Sequence, residues 1–256
     1  MRVVIIGAGN VATVFGRLIV KANHEILQVV SRNIDHAGAL ANELGCAFTD
    51  NPTLADPSAD IYIVAWSDEA LSAIHQSYLL GDKLIVHTAG SVSKDILKPV
   101  SVNYGVLYPL QSLRKENMEL LQDIPLLIDG SSDEVVSVIE RFSFSLSPVV
   151  NRMNDDQRLK LHLAAVIVSN FSNHLYVLAA GYCVEEGLDF TMLLPLIEET
   201  ALRLRQYHPV TMQTGPAIRK DTTTIEKHLQ LLSLHPRLKE LYLRISDSIM
   251  MPDRGN

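Results

Sequence analysis

Short apolar runs rich in β-branched residues alternate with helical patterns through the first part of the chain. The runs are almost wholly apolar, as in parallel strands that helices cover on both faces. We predict strands at Arg2–Ile6, Ile26–Ser31, Ile61–Ala65, Leu84–His87, Val102–Leu107, Asp123–Ile128 and Pro148–Arg152. A helix is expected to begin near Ser132, because Ser132 can cap it and two acidic residues follow. This alternation predicts an α/β domain.

The pattern changes at about Asn154, where helical periodicity replaces the strand pattern. We predict helices at Asp155–Glu186, Phe190–Gln206, Ile225–Ser233 and Pro236–Ile249. No further strand is expected after Arg152. The sequence therefore predicts an α/β fold with a mostly parallel N-terminal sheet in residues 1–153, followed by an all-helical C-terminal domain in residues 154–256.

Composition excludes several classes of partner. The 256 residues include 22 Lys and Arg against 29 Asp and Glu, a formal net charge of −7, so we expect no nucleic-acid partner and no anionic membrane partner. The two cysteines, Cys46 and Cys183, lie far apart and in no metal-binding spacing. We therefore expect a reducing compartment and no metal site.

The N-terminal residues predict a cytoplasmic protein. Met1 and Arg2 run directly into the first predicted strand, which leaves no apolar segment of secretory length. The longest apolar stretch, Leu161–Gly181, contains two histidines and two asparagines, so we do not expect it to span a membrane.

A glycine-rich run follows the first strand and opens a helix. It reads Gly7-Ala8-Gly9-Asn10-Val11-Ala12, with Gly16 four residues on. Gly7 permits a tight turn, Gly9 lets the backbone approach a pyrophosphate, and the amides at the helix start attract phosphates. Small residues at Ala12 and Gly16 are expected to let this helix pack close to the sheet. We predict a Rossmann-type dinucleotide site at Gly7, Gly9, Asn10 and Val11; the alternative is a structural turn without a ligand.

The end of the second strand indicates which dinucleotide binds. It reads Val29-Val30-Ser31-Arg32-Asn33, without the acidic residue that usually binds the ribose of NAD. The Arg32 guanidinium and the Ser31 hydroxyl suit a 2′-phosphate, whereas Asp35 is expected to start a helix. We predict NADP(H) as the cofactor; the alternative for Arg32 is a solvated loop arginine.

Ligands of such sheets lie beyond the carboxyl ends of the strands. That rule adds candidates after the later strands: Trp66, Ser67, Thr88, Ala89 and Gly90 for the cofactor, and Gln111 for the substrate. Each polar residue among them could instead form a turn or cap a helix. Trp66 could instead belong to the core.

The first helix after Asn154 carries polar groups on an otherwise apolar surface. We predict His162 as the proton donor, because imidazole titrates near neutral pH, with Lys160 as its rival. Asn170 and His174 are expected to lie on one broad helix face with His162. We predict Asn170 as catalytic and His174 as substrate-binding. The alternative is that these groups join helices or form a dimer interface.

A second polar cluster runs from Thr214 to Asp221. A Gly-Pro turn with hydroxyl groups and an arginine suits a carboxylate or a phosphate. We predict Thr214 as catalytic, and as substrate-binding the residues Gly215, Pro216, Arg219 and Asp221. The alternative is a helix-joining loop in which Asp221 caps the next helix.

Together these motifs resemble a bacterial family that joins a Rossmann-like NADP-binding domain to a helical domain of unknown function. The resemblance rests on the Gly7–Gly16 run, Ser31-Arg32, Val64 to Asp68, His87-Thr88-Ala89-Gly90, Tyr108-Pro109-Leu110-Gln111, the His162…Asn170 helix and Thr214-Gly215-Pro216-Ala217…Arg219…Asp221. More distantly, the chain is similar to pyrroline-5-carboxylate reductase, deazaflavin-dependent NADP reductase and the β-hydroxyacid dehydrogenases. The resemblance implies that Thr214, Gly215 and Pro216 approach the substrate and nicotinamide. It also implies a homodimer built through the helical domain.

Two departures keep the relatives' substrates from being carried over. The β-hydroxyacid dehydrogenases place an asparagine four residues after a helix lysine, but Ala164 stands four residues after Lys160. The double glycine of the pyrroline reductase loop is also absent. We expect an NADP(H)-dependent oxidoreductase that moves hydride between nicotinamide and a small C=O or C=N substrate. The alternatives are a non-catalytic NADP-binding redox sensor or scaffold, and a flavin- or deazaflavin-coupled reductase.

Overall fold

A computed structural model describes residues 1–116 and 123–251, so the last residues of the predicted helical domain, 252–256, lie outside the described residues. The chain divides into two compact units, Met1–Asn170 and Phe171–Asn256. The change from strands to helices falls where the sequence predicts it, after Arg152. The unit boundary differs from the predicted domain boundary at 153/154, because the first helix after Arg152 is bonded to loops of the first unit.

A single sheet organises the first unit. In chain order, the strands that the structure describes are β1 Arg2–Ile6, β2 Glu25–Val30, β3 Ala47–Thr49, β4 Ile61–Val64, β5 Leu84–His87, β6 Tyr104–Pro109, β7 Leu126–Gly130 and β8 Val150–Arg152. Their order across the sheet is β3-β2-β1-β4-β5-β6-β7-β8. All neighbours are parallel except β6 and β7, which are antiparallel. The predicted fold class is confirmed.

Helices cover both faces of this sheet. Residues of α1 Asn10–Lys21, α2 Ile34–Leu44, α3 Asp68–Leu71 and α4 Asp133–Leu146 belong to the buried clusters on the two faces, and α5 Asp155–Ala165 follows the last strand. Ser132 caps α4 by accepting a hydrogen bond from the Val135 amide, as predicted. Asn154 and Gln157 form a capping box at the start of α5, which fixes where this helix leaves the last strand.

The core explains why the strand runs are apolar throughout. On β1, Val3 and Ile5 face one buried cluster, while Val4 and Ile6 face the other. All four side chains are fully buried. Because successive residues of a strand point to opposite faces, a sheet covered on both sides needs an apolar residue at every position.

Two details of the first unit differ from expectation. Strand β3, Ala47–Thr49, was not predicted, because it is a three-residue edge strand with mostly exposed side chains. Gly16 does not serve the approach of α1 to the sheet. A Cβ built on Gly16 would lie 2.6 Å from Cδ1 of Leu44, so this glycine allows α1 to pack against α2.

The second unit is helical throughout its described residues. It contains α6 Ser172–Glu185, α7 Leu194–Arg203, α8 Thr222–Leu231 and α9 Pro236–Met250, with 3₁₀ turns at Phe190–Leu193, Pro209–Met212 and Leu232–Leu234. The predicted helix Phe190–Gln206 is thus a 3₁₀ turn followed by a shorter helix. The π-helical segment Val166–Phe171 joins α5 to α6, where the sequence predicted one regular helix.

The helical stretch Asp155–Glu185 is long and apolar enough to cross a membrane, judged by length and composition alone. Its apolar window has none of its residues buried. Asn170, Asn173 and His174 are exposed, so water can satisfy their polar groups.

Candidate functional site

The glycine-rich turn lies at the point where the strand order reverses, between β1 and β4. Gly7 has a φ of +123°, and a Cβ on it would lie 2.6 Å from the carbonyl oxygen of Ala65. By contrast, a Cβ on Gly9 would meet nothing within 4 Å among the described residues. Gly9 is the N-cap of α1, and no described side chain caps that helix. Asn10 and Val11 form its first turn. The turn therefore leaves backbone amides and open space for an anionic group.

Arg32 and Ser31 lie at the carboxyl end of the neighbouring strand β2. Arg32 is exposed and Ser31 is half-buried. Within residues 1–116 and 123–251, Arg32 makes no ion pair. Asn33 caps α2 and Asp35 lies in its first turn, as predicted for Asp35. The guanidinium is therefore free to bind a phosphate.

A tyrosine and a histidine meet above Gly90, in the loop after β5. The Tyr108 hydroxyl, near the end of β6, lies 2.9 Å from Nδ1 of His162 on α5. A Cβ on Gly90 would lie 2.6 Å from that same Nδ1 and 2.8 Å from Cζ of Tyr108. Only a glycine at this position leaves the two rings in contact.

This pair can deliver a proton. Burial raises the pKa of Tyr108, and the nearby charge of Asp68 raises it further, while Arg158 opposes both effects. The phenol is therefore protonated at neutral pH and can donate to Nδ1 of a neutral imidazole. The other nitrogen, Nε2, then carries a hydrogen that it can donate while the Tyr108 hydrogen passes to Nδ1, so that the pair gives up one proton and ends as a phenolate beside a neutral imidazole.

His87 lies fully buried beneath the same loop. Its Nδ1 accepts a hydrogen bond from the Ala89 amide, and its Nε2 donates to the Ser93 carbonyl, 3.3 Å away. Burial, followed by the charge of Arg158, lowers the pKa of His87 to about 4. His87 is therefore neutral at physiological pH and holds the Gly90 loop in shape.

Arg158 and Asp155 attach the first turns of α5 to this loop. Arg158 is 1% exposed and donates from Nη2 to the Val92 carbonyl and to Asp155. Asp155 also accepts from the Ser93 hydroxyl and from the Lys94 amide, 3.2 Å away. Burial alone would raise the pKa of Asp155, but the bonds from Ser93 and Arg158 outweigh it and hold the pKa below its usual range. These contacts fix α5, and with it His162, against the Gly90 loop.

The other strand-end candidates mostly serve the local backbone. Ser67 caps α3 by accepting from the Ala70 amide, and the buried Thr88 hydroxyl donates to the Val64 carbonyl. Trp66 is half-buried, with its ring 6.0 Å from that of Tyr78. Gln111 is exposed and accepts a hydrogen bond from the Ser112 amide. Ala89 is buried beside Gly90.

Two further candidates of the first unit make no described hydrogen bond to the Tyr108–His162 pair. Lys160 is exposed and forms a 2.6 Å ion pair with Asp156. Asn170 is exposed and lies in the π-helical segment, which breaks the 3.6-residue period that was to place it near His162. His174, in the second unit, is also exposed.

The Thr214–Asp221 cluster belongs to the second unit. Thr214, Gly215 and Pro216 line a mostly apolar cavity of about 240 Å³ together with residues of α6 and α9. Gly215 has a φ of +105°. Asp221 caps α8, accepting hydrogen bonds from the backbone and hydroxyl of Thr224, which lower the pKa of Asp221. Arg219 is exposed.

Tyr108, Asp68 and Arg158 are among the residues of this site that sequence reasoning missed. Tyr108 and Asp68 both follow strands at the carboxyl edge, so the rule that selected Thr88 applied to them as well. Arg158 stands four residues before His162, a spacing that places both on one helix face. That spacing was the available signal for Arg158.

The described residues hold no group of three or more potential metal ligands.

Comparisons with known proteins identify the family. Residues 2–90 match the family model "NADP oxidoreductase coenzyme F420-dependent", and residues 124–249 match "Domain of unknown function (DUF2520)". No curated protein matches the chain.

Solved structures extend the likeness over nearly the whole chain. A putative NADP oxidoreductase from Bacteroides fragilis is 37% identical, covers 97% of each chain and has a TM-score of 0.90. A protein from Thermotoga maritima is 24% identical, covers 96% of each chain and has a TM-score of 0.72. A reductive aminase from Aspergillus terreus in complex with NADPH and ethyl-5-oxohexanoate is 16% identical and covers 97% of this chain and 92% of its own, with a TM-score of 0.71. The last two show the shared fold.

Proposed function

The chain belongs to the NADP oxidoreductase family in which a coenzyme-F420-type NADP-binding domain precedes the domain DUF2520, and on that premise we propose that it transfers hydride between NADP(H) and a small C=O or C=N substrate. The observation that carries the proposal is the Tyr108–His162 pair above Gly90. The pair supports the proposal because a proton donor there would stand at the edge of the sheet where ligands of this fold bind.

The residues present suit NADP(H). The pyrophosphate would lie on the open turn at Gly7, Gly9, Asn10 and Val11, and the 2′-phosphate on Ser31 and Arg32. When bound, the nicotinamide supplies or accepts the hydride, and the protein supplies orientation and a proton.

His162 is the proposed proton donor, and Tyr108 sets its state. The phenol donates to Nδ1, which keeps hydrogen on Nε2 and turns that nitrogen toward a substrate. Arg158 and Asp155 hold α5 in place, so they are positioning residues. Lys160 is a weaker candidate, because its ammonium is exposed and paired with Asp156.

An NADP-binding sensor or scaffold is the alternative from another class. Such a protein needs the turn and Arg32, but it has no use for a proton donor over Gly90. The Tyr108–His162 pair therefore favours an enzyme.

The test is a screen of NADPH oxidation, followed at 340 nm, with cyclic imines, α-keto acids and aldehydes as substrates. We expect turnover with at least one class, and a loss of about a hundredfold or more in kcat for His162→Ala with NADPH affinity retained. Lys160→Ala is the control and should keep its turnover. Turnover that survives in His162→Ala would contradict the assigned role, and NADPH binding without any turnover would favour the sensor.

We also propose a homodimer formed through the second unit. Many large apolar side chains of that unit are exposed, including Val177, Val184, Met192, Leu196, Leu231 and Leu234. Apolar surface of this extent in a soluble protein marks an interaction site, and a second copy is the partner that the family resemblance implies. The proposed substrate roles of Thr214, Gly215, Pro216, Arg219, Asp221, His174 and Gln111 stay predictions.

A further inference from the structure

A carboxylate near the Tyr108–His162 pair affects the pKa of Tyr108 but neither gives nor receives the transferred proton. Asp68 begins α3, in the loop region after β4, and it accepts a hydrogen bond from the hydroxyl of Ser91. Ser91 is the residue after Gly90, so this bond ties Asp68 to the loop on which the two rings rest. Both Asp68 and Ser91 are exposed. The charge of Asp68 also adds to the raised pKa of Tyr108 and, as a minor effect, opposes the lowering of the His87 pKa by burial.

The two carboxylates attached to this loop differ in how their charge is compensated. Asp155 is bonded by the buried Arg158 guanidinium, by the Ser93 hydroxyl and by the Lys94 amide. Asp68 accepts from a neutral hydroxyl, and none of the ion pairs in the described parts of the chain includes it. Asp68 therefore keeps an uncompensated negative charge that a bound molecule can reach.

We infer that the substrate is a cationic C=N compound, a protonated imine or an iminium ion, and that Asp68 is the residue that selects it over a neutral carbonyl. The inference rests on the proposed function. A carboxylate next to the reacting group attracts a positively charged substrate. It makes no comparable charge interaction with a neutral ketone.

The chemistry balances without a further reactant. Hydride from NADPH brings two electrons to the carbon of the C=N bond, the π pair moves to nitrogen, and the products are a neutral amine and NADP⁺. A neutral imine first takes its proton from the Tyr108–His162 pair, whereas an N-alkyl iminium ion needs none. Because the positive charge passes from the substrate to the nicotinamide during the reaction, the charge near Asp68 does not change, and we expect the effect of Asp68 to fall on substrate binding.

The competing explanation is that Asp68 only holds the loop through its bond to Ser91. Two variants separate the explanations. Asp68→Asn removes the charge but keeps an oxygen that can accept from Ser91. Ser91→Ala removes the bond but keeps the charge.

The experiment uses the complete protein saturated with NADP⁺, which cannot reduce the probe. Calorimetry first measures NADP⁺ binding, and then the dissociation constants of the N-methyl-1-pyrrolinium cation and of neutral cyclopentanone, a ring of similar size. We expect the cation to bind about fivefold or more tightly than the ketone, as a charge pair about 4 Å apart near water allows. Asp68→Asn should abolish this preference, and Ser91→Ala should keep it.

Each other outcome overturns a stated part of the account. Absence of NADP⁺ binding overturns the proposed function and this inference together. If NADP⁺ binds but the protein has equal affinity for the two probes, this inference alone is overturned. A cation preference that survives in Asp68→Asn also overturns this inference alone. A preference lost equally in both variants assigns Asp68 to holding the loop.

Discussion

The two units of the chain differ in how they cover their apolar residues. In the first unit, the strand residues Val4, Ile63 and Val86 are fully buried between two layers of helices. In the second unit, large side chains on several helices stay open, with Val184 78% exposed and Leu234 85% exposed. The sheet of the first unit therefore completes its own core, whereas α5 of that unit and the helices of the second unit leave large apolar side chains exposed.

This difference separates two kinds of evidence about function. The Tyr108–His162 pair, Gly90 and Arg158 lie in the first unit, so their geometry follows from one copy of the chain. The Thr214–Asp221 loop lies in the unit with open apolar surface. Its role depends on what covers that surface, and this is why the catalytic proposal rests on the first unit.

The largest expected effect is on assembly. Val177 and Val184 are seven residues apart on α6, so they lie on one helix face. Replacing both with lysine places charges in the proposed interface. Light scattering should show the mass fall from twice 28.4 kDa to 28.4 kDa. Leu79→Lys, at an exposed apolar residue of the first unit, is the control. A wild-type monomer would refute the homodimer.

Substituting Gly90 tests whether the ring pair is needed for turnover. In Gly90→Ala the new Cβ would clash with both His162 and Tyr108, so the pair must separate. We expect kcat to fall about a thousandfold, within the range of a lost general acid. Gly181→Ala is the matched control, because a Cβ at this position meets nothing within 4 Å among the described residues. Normal turnover in Gly90→Ala would show that the pair does not serve the reaction.

Acid titration of the first unit should reveal the buried imidazole of His87. Its pKa of about 4 in the folded protein lies below the ordinary 6.5. Its contribution to stability is therefore complete above pH 6.5 and is lost as the pH falls through 4, by about 3 kcal/mol. Denaturant unfolding from pH 7 to 4 measures this loss. His87→Asn keeps an acceptor for the Ala89 amide but does not titrate, so the stability of this variant should fall less between pH 7 and 4. An identical decline in stability in the variant and the wild type would exclude His87 as the cause.

The smallest expected effect is on cofactor choice. Arg32→Ala should weaken NADPH binding about tenfold, because one charge-assisted contact to the 2′-phosphate is lost. NADH binding should not change, and Arg32→Lys should lie between. Trp66 is the single tryptophan, so its fluorescence can report both titrations. Equal losses for NADPH and NADH would remove the 2′-phosphate role.

Much of the fold could be predicted because its causes are local. The strands of the sheet, the Ser132 cap and the Gly7 turn each follow from a few neighbouring residues. Strand β3 escaped prediction because a short exposed edge has no apolar run. The π-helical segment escaped because the residues of Val166–Phe171 are compatible with an ordinary helix.

The candidate site was predicted only in part, because its members come from distant segments. His162 was chosen for its chemistry, but its partner Tyr108 is 54 residues away in the chain. That contact depends on how α5 lies on the Gly90 loop, which Arg158 and Asp155 determine. Asn170 and His174 were grouped with His162 on a regular helical period that the structure does not keep.

The most direct test of the account is a crystal structure of the complex with NADP⁺. We predict the pyrophosphate on the Gly7–Val11 turn, the 2′-phosphate on Arg32, and the nicotinamide beside Gly90 on the side of the Tyr108–His162 pair. A nicotinamide remote from that pair, or a 2′-phosphate that does not reach Arg32, would contradict the central claim that this edge of the sheet is the active site.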